Sequence, residues 1–184
     1  MQSVLVRSVV RLEALGYVLI VIAGTLLHFA YDASGQRWWV GLFSAMNESV
    51  WEHLKLAFWP ATLWALIQRG FMPDTTRNFW PAKALALLLM PAVIVGGFYG
   101  YTAILGQHML ALDILLFCIA VALGQLAAVA GQCATVDLSS MKTAAKLIIA
   151  IEAAAFMGLG FFPPELAIFT DPSAFPEHGV SGSR

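Results

Sequence analysis

Apolar positions along the chain gather into five long runs separated by short polar breaks. They are LEALGYVLIVIAGTLLHFAY at 12–31, SVWEHLKLAFWPATLWALIQ at 49–68, AKALALLLMPAVIVGGFYGYTAIL at 82–105, HMLALDILLFCIAVALGQLAAVAG at 108–131 and AAKLIIAIEAAAFMGLGFF at 144–162. A helix that crosses a bilayer needs about 20 mostly apolar residues. The pattern therefore predicts an all-α fold, a polytopic transmembrane helical bundle of about five spanning helices, with the second run the least hydrophobic. The segment WWVGLFSAM at 38–46 is too short to span, and its tryptophans suit the membrane–water boundary. It predicts a short interfacial or re-entrant piece. The first run is too long for a signal peptide and lacks a small-residue cleavage site. No repeat is visible. The organisation expected is one transmembrane domain over 1–170 and a short extracytoplasmic polar tail over 171–184.

Composition sharpens this picture. Hydrophobic residues make up 60% of the 184 positions and charged residues 11%, with mean hydropathy +0.79. A soluble domain carries about 25% charged residues, so a lipid bilayer is the expected surrounding. The net charge of -1 supplies no basic face for phosphates, which excludes a nucleic-acid partner. A homodimer or a larger membrane complex remains open as the protein partner. Cys118 and Cys133 lie in or beside apolar stretches and read as small core hydrophobes.

The lysines and arginines set an orientation. Arg7, Arg11, Arg69, Arg77, Lys83, Lys142 and Lys146 fall on one side of a five-span bundle, and Arg37 and Arg184 on the other, with Lys55 inside a span. The excess of positive charge marks the cytoplasmic side. The expectation is an N-terminus inside and a C-terminus outside.

Polar chemistry then concentrates at the outer side, above all in AMNESVWEHLK at 45–55. Ser49 followed three residues later by Glu52 matches a capping box, with Asn47 an alternative N-cap. Capping does not account for His53 or Lys55, which lie further into the helix. His28 and Asp32 are four apart and share a face on a continuous helix. His108 and Asp113 open the fourth run, and Asp113 falls at a depth similar to Lys55, which suggests an ion pair. Asp171 follows the fifth run. These residues predict a polar pocket under the outer surface. Glu48, Glu52 and His53 are the candidate catalytic groups, and His28, Asp32, His53 and Asp113 the candidate ligands of a divalent metal. Asn47, Lys55, His108 and Asp171 are further lining residues. Glu13, Gln125 and Glu152 are the main spanning polar groups of the inner half, and Glu152 suits either a helix–helix hydrogen bond or a proton route. Pro60 and Pro91 predict kinks, and the glycines at 96, 97, 100, 124, 131, 158 and 160 predict close helix packing.

The segments LLHFAYDASG, LFSAMNESVWEHLKLAFWP and PPELAIFTDP, in that order, resemble an uncharacterised family of small polytopic bacterial membrane proteins. The resemblance spans nearly the whole membrane region, and NESVWEHLK is its most specific part. It implies a short bundle, placed in the bacterial inner membrane, with these polar motifs at one end, and it carries no activity or catalytic role. The tail departs from the family pattern: His178 precedes Gly179 where a tyrosine–glycine pair is expected. Three classes of function stay open. A membrane-embedded, metal-dependent hydrolase or transferase would use a mixed nitrogen and oxygen site. A carrier of a small solute or ion would use the proline-interrupted helices. An accessory protein would use the polar cluster to bind a partner or brace the bundle.

Overall fold

The computed structural model of the protein describes residues 2–72 and 76–171, and no strand occurs among them. The expected polar tail lies outside the described residues beyond Asp171, as does His178. Five long helices make up the bundle: α1 (Gln2–His28), α4 (Val50–Phe71), α5 (Phe79–Leu105), α6 (Leu110–Gln132) and α7 (Lys142–Phe161). Two one-turn helices, α2 (Ala30–Ala33) and α3 (Trp38–Gly41), fill the connection from α1 to α4. Within the predicted interfacial segment, α3 is the only helical part among the described residues, and its Trp38 and Trp39 are exposed.

Four of the long helices, α1, α5, α6 and α7 with the 3₁₀ turn before it, are long and apolar enough to cross a membrane. The predicted count of about five spans therefore resolves into four apolar spans and a fifth helix of different character. At about 1.5 Å per residue, α4 has the length to cross, but Glu52, His53, Lys55, Gln68 and Arg69 lower its hydrophobicity. Those groups are tolerated because α4 is the most enclosed helix, packed on α1, α5 and α7. More than half of its residues are buried, whereas α7 buries only Ala145 and Phe156. A helix that faces protein need not be apolar all round. A helix that faces lipid must be.

Close backbone approaches set the register. An added Cβ at Gly16 would meet Trp64, and one at Gly24 would meet the Leu56 carbonyl at 2.5 Å, so α1 and α4 run antiparallel and tightly packed. The same test pairs Gly97 with Leu116, Gly124 with Met90 and Gly131 with Ala82, which fixes α5 against α6. Gly160 of α7 sits on Glu52 and Lys55. Gly96, Gly100 and Gly158, also expected at close contacts, have open space around them. Pro60 lies inside α4, and its missing N–H frees the carbonyl one turn earlier, at Leu56. Gly24 packs on that same carbonyl, a contact that needs the absence of a side chain. Ile20, Leu54, Phe58, Leu87, Met90, Val121 and Phe156 meet in the core between these helices.

Candidate metal centre

The antiparallel register of α1 and α4 brings the last residue of α1 level with the first turn of α4. His28 ends α1, His53 lies in the first turn of α4, and Glu48 sits on the loop just before it. The loop is pinned by side chains. Ser49 is the N-cap and its hydroxyl accepts from the Glu52 N–H, while Asn47 Oδ1 accepts from the Ser49 N–H at 2.9 Å. The Glu48 N–H donates to Asp171 Oδ2 at 3.3 Å, and the Met46 N–H donates to Glu52 Oε2 at 2.8 Å. The capping box is thus only half made, because the Glu52 carboxylate reaches Met46 rather than back to the cap.

Glu48 stands between the two imidazoles. Its Oε2 is 3.4 Å from His53 Nε2 and its Oε1 is 3.9 Å from His28 Nε2, with the ring centroids 5.2 Å apart. One ligand atom from each of the three residues lies within 4.8 Å of the others. His53 Nδ1 is 2.9 Å from the Ser49 carbonyl oxygen. A carbonyl can only accept, so Nδ1 carries a proton, and whenever the ring is neutral its Nε2 presents a lone pair to the carboxylate. Two acceptors facing each other need a cation or a proton between them. Bonds of about 2.0–2.1 Å in tetrahedral geometry separate ligand atoms by roughly 3.3 Å, so the 3.4 Å contact already fits, while the set of three ligand atoms, spread over up to 4.8 Å, has to draw together around an ion. A backbone carbonyl that holds the far nitrogen of a ligand histidine also fixes its tautomer, as metal sites commonly arrange. All three side chains are partly exposed: 29% for His28, 34% for His53 and 56% for Glu48.

The other sequence-singled residues take different places. Asp32 is exposed and accepts from Gln36 at 3.3 Å. α1 ends at His28 and α2 begins at Ala30, so His28 and Asp32 fall on separate helical segments rather than on one continuous helix. Asp113 accepts from the Tyr101 hydroxyl and lies 3.5 Å from His108 Nδ1, on the α5–α6 side. The expected Lys55–Asp113 ion pair is overturned. Lys55 Nζ is 2.6 Å from Glu52 Oε2 and donates to the Gly41 carbonyl at 2.8 Å, and both charged side chains are shut off from solvent. A partner one turn away on the same helix is nearer than one on another helix, and a match of depths alone does not reveal it. Glu52 is therefore an anchor that ties α4 to the loop and to Lys55, buried at 2% exposure, rather than a base open to a substrate. Asn47 organises the turn, and Asp171 holds the Glu48 backbone.

A second polar centre lies about 22 Å further down α1, by fifteen residues at 1.5 Å each. Glu13 accepts from Lys83 at 2.7 Å through both carboxylate oxygens, and from Gln68 at 2.8 Å and Gln132 at 2.5 Å. Gln125 donates to the Glu13 main-chain carbonyl at 3.0 Å. Four helices thus converge on one carboxylate that is 1% exposed. The apolar run begins at Ala82 and leaves Lys83 at its edge, among the charges that set the orientation. The helix starts at Phe79 and draws Lys83 into the bundle. An acidic residue in one span with no named partner was the signal available for finding it.

No curated protein and no solved structure matches the chain. The model of a family of unknown function, DUF6512, matches residues 2–179, and the chain belongs to that family.

Proposed function

We propose that the protein is a multi-pass membrane protein that binds a divalent transition metal, zinc by preference, through His28, Glu48 and His53. The carrying observation is the convergence of two imidazoles and one carboxylate with their ligand atoms within 4.8 Å. The His53 Nδ1 contact to Ser49, which turns the Nε2 lone pair toward Glu48, supports it. Imidazole suits zinc, copper, iron and nickel, and a carboxylate beside it keeps zinc competitive. Three protein ligands leave a fourth position for water or a small ligand, as open zinc sites do. A water held there would be a nucleophile near neutral pH.

Charge supports placing this end outside the cell. Among the described residues, Arg7, Arg11, Arg69, Arg77, Lys142 and Lys146 lie toward the opposite end, and Arg37 and the Glu52-paired Lys55 toward this one. With Lys83 committed to Glu13, the bias survives without it. The bacterial inner membrane follows from the family resemblance.

A zinc titration of protein stripped by chelator and held in lipid nanodiscs tests the reading. Saturable binding of one ion per chain, lost in His28→Ala and in His53→Ala and weakened by acidification as protons compete for imidazole, is the expected result. Absence of saturable binding would show the three residues to be a histidine–carboxylate ion pair and nothing more.

A further inference from the structure

Glu48 is held at two points by two different parts of the molecule. Its carboxylate faces His28 and His53, and its backbone N–H donates to Asp171, which lies 123 residues further along. The chain reaches Asp171 through the segment 163–171, which leaves the end of α7 and folds back over the first turn of α4. The 3₁₀ turn Ala167–Phe169 packs against α4. Phe169 lies on Trp51 with ring centroids 4.7 Å apart, and Trp51 in turn meets Phe156 of α7 at 4.9 Å. Ile168 adds to the core beneath. The segment is therefore fastened by an apolar clasp in its middle and by a carboxylate at its end, and that carboxylate grips the residue that supplies the oxygen ligand.

We infer that Asp171 is a positioning residue of the metal site and that segment 163–171 is a strap whose docking and metal occupancy reinforce each other. The inference rests on the metal reading above. The physical basis is that Glu48 sits on a loop, where a ligand is held less firmly than on a helix. Fixing its N–H removes freedom that metal binding would otherwise have to restrain. Outer partners of this kind change metal affinity about 10–100-fold when removed. Linkage makes the effect reciprocal: if the docked strap favours the metal, the metal favours the docked strap by the same factor.

The test uses the full chain in nanodiscs. Zinc affinity is measured by competition with a chromophoric chelator for wild type, Asp171→Ala, Asp171→Asn and Phe169→Ala. Asp171→Ala should weaken zinc about 10–100-fold, and Asp171→Asn, which keeps an acceptor oxygen, should stay close to wild type. Phe169→Ala loosens the clasp without touching Glu48 and should weaken zinc too, which keeps the question open if Asp171→Ala fails to fold. The visible spectrum of the cobalt(II) form should be unchanged in saturated Asp171→Ala, because the ligands are the same. Hydrogen exchange over 163–171 should slow when zinc is added to wild type. Equal affinity in Asp171→Ala and Phe169→Ala, or exchange indifferent to zinc, overturns the strap while leaving the metal site standing. An altered cobalt spectrum overturns positioning, since Asp171 would then be a ligand itself. A wild-type protein that takes no metal ends both readings.

Discussion

The two polar centres of this bundle are built from similar residue types and finished in opposite ways. Around Glu13, one carboxylate meets a lysine and two glutamine amides from three other helices, at distances of 2.5–2.8 Å and out of reach of solvent. Around Glu48, one carboxylate meets two imidazoles at 3.4 and 3.9 Å, partly exposed, with Nε2 of each ring turned toward it. The first centre has its charge balanced by its own lysine. The second lacks a positive charge unless an imidazole takes a proton or a metal enters. The contrast teaches that a charge buried in a membrane protein is no sign of function when its counter-charge is beside it. Incompleteness, at a place a ligand can reach, is the more informative feature.

The largest expected effect lies at the closed centre. Lys83→Met leaves the Glu13 carboxylate buried without its counter-charge and should cost about 3–5 kcal/mol. The pair Glu13→Gln with Lys83→Met should cost clearly less than the two single changes together. Unfolding in mixed detergent reads both, and additive losses would mean the two charges do not depend on each other.

Slightly smaller losses are expected at the other shielded pair, Glu52 and Lys55, because it adjoins the loop. Lys55→Met should destabilise by roughly 3 kcal/mol. Its effect should be non-additive with Glu52→Gln and additive with Asp113→Asn. Coupling to Asp113 instead would restore the pairing that depth alone suggested.

The α1–α4 contact that aligns the open centre comes next. Gly24→Ala places a methyl against the Leu56 carbonyl and Phe117, and overpacking of this kind costs about 1–3 kcal/mol. The same variant should weaken zinc, because His28 and His53 depend on that register. A variant as stable as wild type would mean that α1 shifts freely along α4.

The smallest effect on stability belongs to the open centre itself. Glu48→Gln and His53→Ala change partly exposed side chains and should stay within about 0.5 kcal/mol of wild type, while metal binding is lost. A large loss of stability would move this cluster into the same category as Glu13.

The helices themselves were legible because hydrocarbon demands long apolar runs; four lie within about three residues of the expected bounds, while α1 starts at Gln2, ten residues before the run at 12–31. What the runs could not carry was the angle around each helix. Lys55 pairs with Glu52, one turn away on the same helix, while Asp113 pairs with Tyr101 and His108. Lys83 escaped notice because a start three residues earlier changed it from a charge at the edge of the run into a core one. His28 and Asp32, expected on one helix, fall on two segments, α1 and α2. The stretch NESVWEHLK was legible as a place where polar groups gather. Its division of labour was not, because Glu48 and Glu52 differ only in which way the capped turn points them. Asp171 was named as a lining residue, but its grip on the Glu48 backbone depends on a chain reversal that no local pattern encodes.

The most direct measurement is metal content and X-ray absorption at the metal edge, on protein purified in mild detergent without added metal. The expected result is one zinc or similar ion per chain, with only nitrogen and oxygen neighbours near 2.0–2.1 Å, and none in the His28→Ala, His53→Ala double variant. A metal-free wild type, sulfur neighbours from Cys118 or Cys133, or an ion that survives the double substitution would contradict the assignment of this centre.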